Sequence, residues 1–482
     1  MPKPKHYDLI VIGGGSAGLT AVTIAARLGA RALLVDRESL GGDCLHYGCV
    51  PSKSLIASAR MAHRMRHAEK FGLDPVDPKA DLARVMRRVD RIREQIGSHE
   101  SPDAIRKLGV DVALGGASFI DASTLEIDQS YPVTGERIVI ATGSHAVAPD
   151  IPGLVETGFI DHVGLFGLQK LPDRLVVIGG GPVGTEIGQA LSRIGSKVTI
   201  VQRGSRLLPR EDPDISAILQ KAFTEEGIDL RLSANPIRVS RGDGDKEIEI
   251  EQHGNTHTIR CDEILVAVGR KPGIDALNLP AAGIRANSRG IVVDDSLRTN
   301  KPHIFAVGDC NGGPQFTHWA EYEARIATRN ALYRGTSKRS MQTLPWATFT
   351  DPEVARVGMT LDEANSAGNY SHVHEHRYPY SQLDRAVCES DTTGMIKIIV
   401  GKSERILGAH IIGPGAGEAL AEWVLAIENR LPLSRIGKAI HVYPTLGRIN
   451  RRVADEAFLA HGVAEWINRL FARFRPVARG DR

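Results

Sequence analysis

The run Gly41-Gly42-Asp43-Cys44-Leu45-His46-Tyr47-Gly48-Cys49-Val50-Pro51-Ser52-Lys53 holds two cysteines five positions apart. Two sulfurs this close in sequence can be bridged only if the backbone bends to bring their Cα atoms within about 4.4–6.8 Å. Gly41, Gly42 and Gly48 supply that freedom. The chain has only five cysteines, too few for a disulfide scaffold. Cys44 and Cys49 make half a zinc site, and no second pair exists, so redox chemistry is favoured and no metal-ligating set is expected. Pro51-Ser52-Lys53 reads as a stop, with a helix starting after Lys53.

A redox pair needs an electron carrier, and the flanking sequence offers places for two. Asp8–Ile12 is an apolar run of buried parallel-strand type. It leads into Gly13-Gly14-Gly15-Ser16-Ala17-Gly18, a helical pattern from Leu19 to Leu28, and a second strand ending at Asp36. Gly13, Gly15 and Gly18 form a Gly-x-Gly-x-x-Gly turn in its required strand–turn–helix context, with an acid about 20 residues on. Such a turn brings a dinucleotide pyrophosphate to a helix N-terminus, and Asp36 is placed to bind the ribose. The pattern repeats at Leu175–Ile178, Gly179, Gly181 and Gly184, a helix from Thr185 to Ile194, and a strand from Lys197 to Val201. Here the second strand is followed by Gln202, Arg203 and Arg206 rather than an acid. Without a carboxylate to repel a phosphate, NADP(H) is favoured over NAD(H).

Further strands are expected at Arg137–Ile140, which ends in Ala141-Thr142-Gly143, at Ile264–Val268, which ends at Gly269, and at Ile304–Val307, which delivers Asp309. A helix is expected to open near Thr317. Beyond Met341 alternating segments suggest an antiparallel sheet with helices at 417–428 and 449–460. The fold class expected is α/β, with two Rossmann-like dinucleotide-binding domains and a C-terminal α+β domain. The boundaries expected are 1–153 and 273–340 for the first nucleotide domain in two parts, 154–272 for the second, and 341–465 for the α+β domain. Residues 466–482 form a basic amphipathic tail, with Trp466, Phe471 and Phe474 among arginines. Packing on its own domain or dimer partner is the preferred reading of this tail, and membrane contact the lesser one.

Bulk properties exclude several classes. A net charge of +3 is too small to argue for nucleic acid. No apolar run is long enough for a membrane span, and no secretory leader is evident. A cytoplasmic location is expected.

Together these residues resemble the flavoprotein disulfide reductases, the family of dihydrolipoamide dehydrogenase, glutathione reductase and mercuric reductase. The resemblance runs from about Asp8 to Ala460. It implies FAD on the first glycine turn, with Gly42, Thr142, Asp309 and Thr317 at the flavin side. It implies NAD(P)H on the second turn and Gly269, and Ala141-Thr142-Gly143 as a hinge. It implies that Cys44 exchanges with substrate and that Cys49 faces the flavin. Lys53 and Glu186 match a lysine–glutamate pair beside the flavin, and the C-terminal domain matches the family's homodimerisation domain. Thiol-reducing members carry a His-Pro motif with a glutamate five residues after the histidine. Here Tyr443 precedes Pro444, Arg448 stands at the glutamate position, and His441 lies two residues upstream. On a strand His441 and Tyr443 would share a face; in a tight X-Pro turn they would not.

The function so implied is FAD-dependent electron transfer between NAD(P)H and a small-molecule or protein-bound disulfide or thiol, through Cys44 and Cys49. Alternatives are a dihydrolipoamide dehydrogenase-type enzyme, a mercuric reductase-like enzyme, or a non-enzymatic redox sensor. Neither an N-terminal Cys-x-x-Cys domain nor a C-terminal cysteine pair is present, which ranks dedicated mercury handling lower.

Overall fold

A computed structural model describes residues 5–460, apart from 129, 130, 243, 334 and 369. The basic tail therefore lies outside the described residues. The described residues divide into two compact units, one of 5–66, 77–203 and 231–341, the other of 67–76, 204–230 and 342–460.

The first unit contains both nucleotide-binding sheets. Strand β1 (Lys5–Ile12) is almost wholly buried from Leu9 onward, as an apolar strand covered on both faces must be. It pairs in parallel with β2 (Ala32–Asp36) and with Tyr131–Ile140. β3 (Asp111–Leu114) joins beyond β2, and Ile304–Ala306 pairs in parallel with Ile138–Ile140. Between β1 and β2 runs helix α1 (Ser16–Arg27), whose small residues Ala17, Gly18, Ala21 and Ala25 lie against the sheet. Gly18 is required there, because a Cβ would come 1.8 Å from Gly13 O. The second sheet repeats this design. Arg174–Ile178 pairs in parallel with Lys197–Gln202 and with Glu263–Val266, and the helix Pro182–Ile194 covers it. Gly184 reproduces the Gly18 constraint, with a Cβ only 1.9 Å from Gly179 O.

Two short segments matter most for the site. Helix α2 (Gly42–His46) carries Cys44, and helix α3 (Cys49–Arg66) starts at Cys49 itself. Pro51-Ser52-Lys53 is therefore not a stop. It is the first turn of α3, where proline's missing N–H costs nothing because the first four amides of a helix have no intrahelical acceptor.

The second unit is built on a five-stranded antiparallel sheet in the order Pro345–Thr348, Glu353–Gly358, Arg405–Gly413, Met395–Gly401, His374–Pro379. Helices Ala416–Glu428 and Ile449–Ala460 pack on it around Trp423, Tyr380, Ile398 and Ile411. Residues 204–230 cluster here by contact. Lys397, almost fully buried, is the reason: its ammonium lies 2.7 Å from Asp212 and 2.9 Å from Asp214. Among the described residues no helix is long and apolar enough to cross a membrane.

Candidate redox site

Gly41 and Gly42 both sit at positive φ, +101° and +60°, and turn the chain from β2 into α2. Gly42 also approaches the first glycine turn so closely that a Cβ would lie 2.7 Å from Gly15 Cα. This contact sets the cysteine segment beside the first nucleotide loop. Cys44 and Cys49 are hydrogen-bonded to each other as unbridged side chains.

The two sulfurs are not equivalent. Cys49 accepts from the Cys44 thiol, and against the cost of burial it gains further from the Thr317 hydroxyl, 3.5 Å away, and from the Lys53 charge. Together these pull it down to about 6. Its place at the N-terminus of α3 adds to the preference for a thiolate. Cys44 is pushed up, because its proton is the one shared with Cys49 and because it is partly buried. Lys53 Nζ is held 2.8 Å from Glu186 Oε2, and the Glu186 side chain is buried. This pair joins α3 to the helix of the second nucleotide unit.

The first glycine turn fits a dinucleotide. Helix α1 starts at Gly15 without any side-chain cap, so its N-terminal amides are available to an anion. Asp36 accepts from Gly14 N at 2.6 Å and from Glu38 N at 2.9 Å, which fixes the loop. Thr142 Oγ1 is buried and has no hydrogen-bond partner in the protein, as expected of a group whose acceptor belongs to a bound cofactor. The second turn has the same form: the helix after Gly181 is uncapped, and Gly180 N donates to Gln202 Oε1 at 2.9 Å. Gln202 thus takes the place of Asp36 without its charge. Arg203 is exposed; Arg206 donates to Pro209 O and falls in the second unit.

A polar chain that sequence reading missed runs beside the cysteines. Asp309 accepts from Ser144 Oγ at 2.5 Å, and Ser144 in turn receives Arg270 through both its hydroxyl and its carbonyl, at 2.8 and 2.9 Å. Arg270 also reaches Asp43 Oδ2 at 3.2 Å. His162 Nε2 lies 2.8 Å from Asp43 Oδ1 and 3.0 Å from Arg270 Nη1, donating to the first or accepting from the second according to tautomer. Burial raises the Asp43 carboxyl, but the His162 bond and the Arg270 charge outweigh it and hold Asp43 below the usual carboxylate range. At the other end burial wins, and Asp309 is raised. The positions of Asp43 beside Cys44, and of Arg270 beside Gly269, were the only sequence signals available.

In the second unit His441 and Tyr443 part company. The Tyr443–Pro444 peptide is cis, and the segment is a turn rather than a strand. His441 points inward, with Nε2 3.1 Å from both oxygens of Glu422 and Nδ1 3.1 Å from Ala439 O. Tyr443 is exposed, with Arg448 stacked over its ring. The imidazole–carboxylate pairing expected of a His-Pro motif is present, but with its carboxylate on another helix.

Comparison with known proteins agrees with this geometry. The family model "Pyridine nucleotide-disulphide oxidoreductase" matches residues 7–324, and that of its dimerisation domain matches residues 344–452. The chain is 35% identical over 443 residues to a mercuric reductase of Bacillus cereus, covering 91% of this chain and 70% of that protein. It is 34% identical over 457 residues to a dihydrolipoyl dehydrogenase of Geobacillus stearothermophilus, covering 93% and 96%. Among solved structures, the Cu(II) complex of the HOCl-induced flavoprotein disulfide reductase RclA of Escherichia coli superposes with a TM-score of 0.83 at 30% identity, covering 94% of this chain and 99% of that one. The chain belongs to the FAD-containing pyridine nucleotide-disulphide oxidoreductases.

Proposed function

We propose that this enzyme moves electron pairs between NADPH and a disulfide or thiol substrate through Cys44 and Cys49. The observation that carries the reading is the unequal pair: Cys49 takes the hydrogen bond of the Cys44 thiol first, then the Thr317 hydroxyl at 3.5 Å and the Lys53 charge, while Cys44 keeps the proton. The Gly13–Gly18 turn, Thr142, Asp309 and the Thr317 helix would hold FAD, which when bound would supply two-electron transfer between nicotinamide and disulfide. Lys53, fixed by Glu186, keeps a positive charge at the Cys49 end. In the reducing direction Cys44, once deprotonated, attacks one sulfur of the substrate disulfide and expels the other as a thiolate. Cys49 then attacks Cys44 Sγ, releasing the second substrate thiolate and restoring the Cys44–Cys49 disulfide. His441, whose imidazole is paired with Glu422, is the preferred acid–base group for these protons, supplied as the family resemblance implies from the partner subunit; what supports it over Tyr443 is that carboxylate.

NADPH is the proposed donor, because Gln202 binds the loop without a negative charge and Arg203 stands open to a 2′-phosphate. The deciding experiment is a steady-state panel of lipoamide, glutathione disulfide, Hg²⁺, Cu²⁺ and a quinone, each with NADH and with NADPH. Turnover in the ordinary range of about 1–10³ s⁻¹ on a disulfide, with kcat/KM favouring NADPH, supports the reading. Turnover on the metal ions alone would replace it with a metal-ion reductase, the chemistry named for the mercuric reductase relatives. Cys44→Ser should abolish disulfide reduction while leaving reduction of the bound flavin by NADPH intact.

A further inference from the structure

The second unit holds a cluster of side chains that the redox chemistry does not use. His374 and His376 are two apart on the strand His374–Pro379, so both project to one face of the sheet edge. Glu404, in the turn joining the strands Met395–Gly401 and Arg405–Gly413, reaches both. Its Oε1 lies 3.0 Å from His374 Nε2 and its Oε2 3.1 Å from His376 Nε2. The three ligand-type atoms lie within 4.8 Å of one another, and the two rings meet edge to face.

We propose that His374, His376 and Glu404 form a binding site for a borderline divalent transition metal of the Zn²⁺ or Co²⁺ type. Two nitrogens and a carboxylate are a ligand set that such ions favour over Mg²⁺ or Ca²⁺, which prefer all-oxygen shells. In a tetrahedral shell with bonds of about 2.0–2.1 Å, neighbouring ligand atoms stand roughly 3.3 Å apart. The two histidine–carboxylate separations, each to a different Glu404 oxygen, are already close to that value, and with one atom taken from each residue the widest separation stays within 4.8 Å, so the set closes on an ion by side-chain rotation.

Three further features point the same way. His374 Nδ1 lies 2.9 Å from His372 O. That carbonyl can only accept, so Nδ1 carries a hydrogen, and Nε2 is the ring atom that faces Glu404 and that a metal ion would take. A backbone carbonyl on the far ring nitrogen is the usual outer support of a metal-binding histidine. Next, Ser403 and Glu404 sit at φ +59° and +57° in the short hairpin loop between Gly401 and Arg405, and that loop geometry turns the Glu404 carboxylate back toward the histidines. Finally, burial is graded: His376 is 8% exposed and His374 37%, so an ion has an inner anchor and an open approach. Three protein ligands leave a fourth position for water. Bound there, the metal would pin the turn to the edge strand of the dimerisation sheet.

The test uses the full-length flavoprotein with Cys44 and Cys49 oxidised, so that their thiols do not compete. Co²⁺ is titrated in and followed by its visible ligand-field absorption, then displaced with Zn²⁺; thermal unfolding is recorded with and without Zn²⁺. One ion is expected per chain, with tetrahedral-type Co²⁺ bands and a rise in the midpoint of unfolding. His374→Ala, at the half-open position where folding is least at risk, should weaken binding by about tenfold or more. Glu404→Gln, which keeps the side chain's size, should do the same and cancel the Zn²⁺-induced rise. Wild-type affinity in both variants would overturn the proposal. So would failure of the oxidised wild type to bind either ion, which would leave the cluster a plain ion-pair network.

Discussion

At the scale of single residues the proposed redox pair rests on unequal hydrogen bonding of two sulfurs. Cys49 collects hydrogen bonds and positive charge, and Cys44 surrenders its proton's partner to it. In the reduced enzyme, alkylation of Cys49 should therefore rise with pH through about 6, well below an ordinary thiol. Thr317→Val removes one donor to a charged acceptor, worth about 1.5–3 kcal/mol, and should move that midpoint up by one to two pH units. The readout is rate of alkylation against pH, which a merely structural loss would not shift. His441→Ala should lower disulfide turnover by about 10²–10⁴-fold, with flavin reduction by NADPH spared. Tyr443→Phe should leave both near wild type. Glu422→Gln should fall between them, because it keeps the hydrogen bond and loses the charge.

At the scale of elements the glycine turns were legible because their meaning is local: a strand, a tight turn and a helix lie within about 30 residues. Cys44, Cys49 and Lys53 were legible for the same reason. What could not be read was anything set by long-range pairing. Asp43 meets His162 and Arg270 across more than a hundred residues, and His441 finds Glu422 on a helix that precedes it. The start of α3 was misplaced because Pro51 signals a break in a helix interior but is welcome in a first turn. Lys397 was likewise silent in sequence, an isolated cation in an apolar strand. Its removal is predictable from the structure: Lys397→Met leaves Asp212 and Asp214 without their shared cation and should destabilise the second unit by about 3–5 kcal/mol, measured by denaturant unfolding.

At the scale of the whole molecule, the second unit carries the fold of a dimerisation domain and exposes Ile440, Val442 and Leu425 strongly. Such apolar exposure is characteristic of an interface awaiting its partner. A homodimer should sediment as such, and Val442→Asp should shift it toward monomer in analytical ultracentrifugation. The same unit should be acid-sensitive. His410 is fully buried, and burial, reinforced by Arg356, lowers it to about 4 from the ordinary 6.5. Between those values the unfolded chain binds the proton and the folded one does not, so stability falls as pH drops from about 6.5 to 4. His410→Gln should flatten that slope in unfolding measured across the window.

Ser144, Asp43 and His162 all draw on the single Arg270 guanidinium, which ties the segment after Gly143 to the cysteine segment. A guanidinium holds these directions in one rigid plane with five donors, whereas a lysine ammonium is a compact point charge that cannot reproduce that spread. The junction is therefore a shared bearing: a change that frees Arg270 from Ser144 also disturbs the carboxylate beside Cys44. Neither end can be adjusted without the other feeling it.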